Sequence, residues 1–326
     1  MLDQFGRTIE YMRISVTERC NLRCTYCMPA EGIKQMRCKD LLSYEEIIRL
    51  AKIFAELGIK KIKLTGGEPL VRLNICQLIA ELKAIPQIEQ VTITTNGVLL
   101  PQMAKDLIAA GLDGVNISLD SVNRESFHQL TLCDQLPNVL QGIDTLLALN
   151  FKSIKLNCVP IAGINEDQLM DIAGFAQKYP ISVRFIELMP IGMAHDFTAI
   201  ETTKVLSMLQ ERYGVLTPYT SQLGNGPATY YSLPNFKGKI GFIEAMHHKF
   251  CTNCNRVRLT SNGFLKLCLQ YDKGIDLKDL LRSQKADNVI REVIEETIYQ
   301  KPKEHLFDDS SIVEGKDQRN MFQVGG

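Results

Sequence analysis

The chain has 326 residues, enough for roughly two domains or for one barrel with an appendage, and 45% of them are hydrophobic against 23% charged. That balance belongs to an ordinary globular protein and excludes a mainly disordered chain. Thirty-seven Lys and Arg cancel thirty-seven Asp and Glu, so no overall field favours nucleic acid or an anionic membrane, and neither is expected as a partner. No apolar run is long enough to span a bilayer. Asp3, Glu10, Arg13, Glu18, Arg19 and Arg23 interrupt the stretch where a signal peptide needs its apolar segment, and a cytoplasmic location is expected. In that reducing setting the ten cysteines are expected to act as ligands or catalysts where they cluster, and not as disulfides.

Taken in chain order, β-branched runs alternate with amphipathic helical patterns up to about residue 190, the pattern of βα units on a parallel sheet. Strands are predicted over 12–16, 61–64, 91–94, 114–118, 154–159 and 183–188. A helix is predicted from Ser43, with Glu46 completing a capping box, Ile47, Leu50, Ala51, Phe54 and Leu57 along one face and Gly58 as its stop. Others are predicted over 73–84, 102–110, 137–149 and 165–178. Near residue 195 the rhythm changes. A helix over 202–213, a Gly/Pro-rich stretch at 223–228, short strands around 230, 239–243 and 256–259, and helices over 277–281 and 289–299 read as a second, smaller layer. The fold class expected is α/β: an incomplete TIM-like barrel of six βα units in domain 1–195, and a small mixed α/β C-terminal domain, 196–326, closing the barrel mouth.

Cys20, Cys24 and Cys27 place three thiols within eight residues after the first strand. Three thiolates do not close a structural zinc site, but they can hold three irons of a cubane and leave the fourth open; a zinc knuckle completed by a distant residue is the alternative. Cys251, Cys254 and Cys268 repeat the device beside His247 and His248, where a Cys3His zinc site is the rival reading. Cys38, Cys76, Cys133 and Cys158 lack ligand spacing, and His128, His195 and His305 stand alone and are given no role.

The first cysteine loop, with the turn Gly66-Gly67-Glu68-Pro69 after the second strand, resembles the radical S-adenosylmethionine (SAM) enzymes. The run from Arg13 to Pro29, Thr94 to Gly97, Asn116 to Ser121, Arg184 to Pro190, Gly238 to Ile243, Phe250 to Thr260 and the terminal Gly325-Gly326 are similar, in order, to the MoaA family, the GTP 3′,8-cyclases of molybdenum-cofactor biosynthesis. This resemblance implies two 4Fe–4S clusters, the first cleaving SAM and the second binding GTP through its open iron. It implies SAM contacts at Tyr26, Gly67, Ser118 and Met189, and GTP contacts at Arg13, Lys63, Thr94, Lys155, Arg256, Val257 and Arg258. The implied reaction opens with a 5′-deoxyadenosyl radical and ends in 3′,8-cyclo-7,8-dihydro-GTP. Implied partners are an electron donor of unspecified identity and, downstream, the cyclic pyranopterin monophosphate synthase, with a homodimer as the candidate assembly.

The bare sequence bears on the triphosphate too. Arg13, Lys61, Lys63, Lys155, Arg184, Arg256 and Arg258 all sit inside otherwise apolar strand patterns, and strand alternation turns Lys61 with Lys63, and Arg256 with Arg258, to a common face. Lys and Arg are rarely buried unless paired, so seven cations without a matching run of carboxylates point to an anionic ligand. Lys63 stands where the resembling family usually has arginine, a point charge in place of a bidentate fork. The rival functions are a radical SAM enzyme with an auxiliary cluster acting on a peptide, and a non-catalytic zinc or iron–sulfur protein.

Overall fold

The computed structural model describes residues 1–34, 36–221, 223–307 and 315–325; Gly326 of the terminal pair lies outside them. Its strands are β1 (Tyr11–Ser15), β2 (Lys61–Thr65), β3 (Gln90–Thr95), β4 (Gly114–Ser118), β5 (Ile154–Cys158), β6 (Ser182–Ile186), β7 (Thr217–Tyr219), β8 (Thr229–Ser232), β9 (Lys239–Ile243), β10 (Arg256–Leu259), β11 (Phe264–Lys266) and β12 (Gly274–Asp276). Among the described residues they form one sheet in the order β12-β11-β10-β1-β2-β3-β4-β5-β6-β9-β8-β7. From β10 through β9 every pairing is parallel. Antiparallel hairpins finish both edges.

The expected βα rhythm is present. Between the strands run α1 (Tyr44–Glu56), α2 (Ile75–Lys83), α3 (Leu100–Ala109), α4 (Arg124–Thr131), α5 (Leu136–Ala148) and α6 (Leu169–Lys178), followed later by α7 (Thr202–Tyr213), α8 (Leu277–Arg282), α9 (Asp287–Tyr299) and the short α10 (Met321–Val324). Helix α1 starts as its sequence dictates: the Glu46 amide donates to Ser43 Oγ at 3.2 Å, and the Ser43 amide donates to Glu46 Oε2 at 2.8 Å. Gly58 ends it at φ +99°. Helix α4 was not expected, because Phe127 and Leu130 are its only large apolar side chains and give little periodicity; Asn123 caps it by accepting from the Glu125 and Ser126 amides.

The second layer expected beyond residue 195 is not a layer. Its strands extend the first sheet, β9 beside β6 and β10 beside β1, so the sheet continues across the change of rhythm near residue 195. The short strands β7, β11 and β12 escaped the sequence pattern because three residues carry no readable alternation.

Strand alternation sorts the two faces of the sheet. Met12, Ile14, Ile62, Leu64, Val91, Ile93, Val115, Ile117, Leu156 and Phe185 are buried in the apolar core with the helices. Each such side chain contributes about 1.5–3 kcal/mol of transfer free energy. The opposite face is polar: Arg13, Lys63, Thr94, Asn116, Asn157 and Arg184, with residues of β9 and β10, line one common cavity.

Candidate active site

That cavity measures about 820 Å³, and all six clustered cysteines reach its wall. Parallel register builds its floor of charge. Arg13 stands directly opposite Arg258 on one side and Lys63 on the other, so three cations occupy neighbouring strands at the ladder spacing of about 4.8 Å. Farther round, Asn116 pairs with Lys155 and Asn157 with Arg184. Arg184 donates to Asn157 Oδ1 from Nε at 2.9 Å and from Nη2 at 2.5 Å. With its amide oriented to satisfy the network, Asn116 accepts from Lys63 and from Arg184.

Burial lowers the pKa of Lys63 well below the usual lysine value, helped by Arg184, Arg13, Lys155 and Arg256 around it. It also lowers Arg13 and Arg184 and, aided by Arg13 and Arg256, takes Arg258 well below the ordinary guanidinium value. Burial, with Arg184 adding to it, brings Lys155 to about 8. All of these shifts say that the charged forms lack compensation. Among the described residues Lys63, Lys155, Arg184, Arg256 and Arg258 have no carboxylate partner, and a buried uncompensated charge is costly. Thr94 Oγ1 and Arg256 Nε are buried there without a hydrogen-bond partner. The cavity is therefore built for an anion rich in acceptors.

Two of the residues grouped with these are placed elsewhere. Lys61 is absent from the cavity wall, and its ammonium meets Glu10 Oε1 at 2.7 Å at the start of β2; the expectation of seven unmatched cations missed this carboxylate, which is brought alongside by register and not by sequence proximity. Val257 is buried at 1% exposure in the apolar core, so only its backbone is on offer to a ligand.

On the other side of the cavity the turn after β2 is zipped to the first cysteine loop. The Gly67 amide donates to Thr17 O and the Glu68 amide to Arg19 O, both at 2.7 Å. A Cβ on Gly67 would stand 2.4 Å from Glu18 O and 2.5 Å from Arg19 O, which is why only glycine fits. The Glu68 carboxylate accepts from Thr95 Oγ1 and the Asn96 amide, each at 2.7 Å, and burial pushes it up to about 7 against those donors. Asn96 in turn donates to Cys20 Sγ at 3.7 Å, and the Leu22 amide does so at 3.4 Å. Tyr26, Ser118 and Met189 face the same space.

One thiol of the second set stands apart in its electrostatics, while Cys251, like the first set, is pushed up by burial. Burial pushes Cys20 up to about 11, Cys27 to about 12 and Cys24 well above its ordinary value. Cys254 is also pushed up by burial, yet Lys301, Arg256 and Arg7 bring it below the usual thiol value. His247 and His248 do not share the cavity wall with the second set. His247 pairs with Glu187, and His248 Nδ1 lies 2.8 Å from Glu244, so the placement gives no support to a Cys3His site made with them. Among the described residues no three cysteine, histidine or carboxylate side chains already stand as a finished metal site. The fit to iron–sulfur clusters rests on donor chemistry: two sets of three free thiols at ligand spacing on one cavity wall, with N–H donors aimed at the sulfur of Cys20.

Several residues of the site carry no local signal. Lys301 and His305 line the cavity, and the His305 backbone N–H donates to the Cys251 sulfur. The C-terminal segment returns to both sides: the Phe322 amide donates to the Cys27 sulfur, and Arg258 donates to the Gly325 carbonyl. Gly325 packs where a Cβ would be 2.2 Å from Thr65 Oγ1.

Comparison with known proteins agrees with this geometry. Residues 14–176 match the Radical SAM superfamily, and residues 181–307 match Molybdenum Cofactor Synthesis C. A GTP 3′,8-cyclase of Desulforamulus reducens is 44% identical over 329 residues, and one of Clostridium perfringens (strain SM101 / Type A) is 43% identical over 326 residues; each alignment covers 100% of both chains. Streptococcus suis SuiB, solved bound to the precursor peptide SuiA, superposes with a TM-score of 0.60 at 14% identity, covering 91% of this chain and 66% of that one. At that identity the likeness shows the fold alone. The chain belongs to the radical SAM superfamily and, within it, to the GTP 3′,8-cyclase family.

Proposed function

We propose that this protein converts GTP to 3′,8-cyclo-7,8-dihydro-GTP, an early step of molybdenum-cofactor biosynthesis. The observation that carries the reading is one cavity whose wall holds two three-thiol sets together with buried cations that lack carboxylates. The fold by itself does not choose between nucleotide and peptide, since SuiB shares it. The uncompensated cations choose the polyanion.

In this reading the curved sheet is an incomplete barrel of six βα units over 1–195, and 196–326 forms the C-terminal unit that closes its mouth. Cys20, Cys24 and Cys27 hold one 4Fe–4S cluster, and Cys251, Cys254 and Cys268 a second. Tyr26, the Gly67 backbone, Ser118 and Met189 hold SAM. When bound, the first cluster and SAM supply the one-electron chemistry that starts the cyclisation. Arg13, Lys63, Lys155, Arg184, Arg256 and Arg258, with Thr94 and the Val257 backbone, take the nucleotide; their charges neutralise the triphosphate and fix the ribose relative to SAM. Lys61 acts indirectly, through its ion pair with Glu10 at the start of β2. The electron donor, a cytoplasmic setting, delivery of product to the cyclic pyranopterin monophosphate synthase and a homodimeric assembly complete the proposal.

The test is anaerobic incubation of reconstituted protein with GTP, SAM and a reductant, followed by chromatography with mass analysis. The expected products are 5′-deoxyadenosine and an isomer of GTP, because ring closure removes the two hydrogens that the dihydro form adds. SAM cleavage with GTP recovered unchanged would overturn the substrate assignment.

A further inference from the structure

We propose that Lys301 is the fixed counter-charge of the second thiol set: its buried ammonium offsets the negative charge of a cluster held by Cys251, Cys254 and Cys268, and raises that cluster's midpoint potential. The inference rests on the two-cluster reading above.

Lys301 follows the last turn of α9 and is 2% exposed, a degree of burial that lysine tolerates only with a partner. Its Nζ donates to the carbonyl of Leu267, the residue before Cys268. It shares the cavity wall with all three cysteines. Two other buried cations brace the same backbone. Arg7 donates to the Cys251 carbonyl at 2.8 Å, and Lys266 donates to the Tyr271 carbonyl at 2.7 Å. Both are neutralised: Arg7 by Asp3 at 2.6 Å, and Lys266 by Asp317. Lys301, among the described residues, has no carboxylate.

The neighbouring charges narrow what it serves. Arg256 lines the same wall but lies over the Phe250 ring, 4.9 Å from its centroid, and Arg7 is spent on Asp3. A cubane held by three thiolates is anionic and becomes more so on reduction, so a fixed cation in a low-dielectric wall favours the reduced form. The first thiol set instead shares its wall with the carboxylate of Asp120, held by the Tyr26 hydroxyl. The second thiol set therefore shares its wall with buried cations, and Lys301 supplies a part of that field that no carboxylate cancels.

The test uses the full chain, anaerobically reconstituted, with Lys301→Met, Lys301→Gln and Lys301→Arg. Potentiometric titration is followed by electron paramagnetic resonance, and a Cys24→Ser variant identifies the signal of the second cluster. Met and Gln are expected to move the second midpoint to more negative potential and to leave the first in place, while Arg stays near the parent. Loss of the second cluster's iron in Met and Gln, with retention in Arg, supports the same role, since the charge is then needed to hold the cluster at all. Full iron with an unmoved second midpoint in Met and Gln overturns the inference, as does an equal shift in Arg, which would mean packing and not charge. A parent with half the iron and a single signal fails before any substitution is made, and it overturns the two-cluster reading together with the inference.

Discussion

The Tyr26 hydroxyl, set between two cysteines of the first loop, donates to Asp120 Oδ2 at 2.5 Å from 94 residues away in sequence. Asp120 Oδ1 accepts from the Val159 amide at 2.8 Å, and the Asp120 carbonyl accepts from Asn165 at 2.9 Å. One buried carboxylate thus ties the cysteine loop to the ends of β4 and β5. Tyr26→Phe leaves that oxygen without its donor and should destabilise the protein by about 1–3 kcal/mol. Asp120→Ala should cost more, since it also strands the Val159 amide. Anaerobic urea denaturation checks both, and a Tyr26→Phe protein as stable as the parent would refute the knot.

Arg256 and Arg258 sit on one face of β10, with the Arg256 guanidinium 4.9 Å from the Phe250 ring centroid and Arg258 bound to the tail carbonyl of Gly325. Charge-assisted bonds contribute about 1.5–3 kcal/mol each, so replacing either by alanine should weaken GTP by roughly tenfold to a hundredfold. Guanosine should be affected much less. Calorimetric titration of both ligands decides it; equal losses would show that these arginines do not read phosphate.

Lys155 gives the pH dependence. With its pKa brought to about 8 by burial and by Arg184, the free protein loses this charge as pH rises through 8, whereas a bound triphosphate holds the proton on. Through Lys155 GTP affinity should fall as pH rises above that value, by at most about tenfold per pH unit. Lys155→Arg keeps its charge and should flatten the profile. A parental affinity that does not change across this range would exclude Lys155 as a phosphate ligand.

Reconstituted protein should carry about eight irons, the content of two cubanes. Cys24→Ser should abolish reductive SAM cleavage and cyclisation alike. Cys268→Ser should lose cyclisation and keep uncoupled SAM cleavage, because making a radical and aiming it are separable steps. The variant must retain its helical circular dichroism and near half of the parental iron. A folded Cys268→Ser protein that cyclises GTP at the parental rate would remove the second cluster from the substrate site.

The sequence by itself determined whatever is encoded within a few residues: the capping box at Ser43 and Glu46, the strand cores, the cysteine spacings and the Gly66-Gly67 turn. The family resemblance is legible for the same reason, since its motifs are short and consecutive. Tertiary structure decided what depends on register. Which strand lies beside β1 is invisible in β1, yet it brings Arg258 and Lys63 to either side of Arg13, and it gives Lys61 to Glu10 instead of to the cavity. It joined the C-terminal strands to both edges of one sheet, where the change of rhythm near residue 195 had read as a separate layer. It also carried Lys301 and His305, which no periodicity marks, to the wall with Cys251. The reason is one of range: helix and strand periods report neighbours within a turn or a pleat, whereas the charge at a site is summed over side chains that meet only when the sheet has wrapped them around the same cavity.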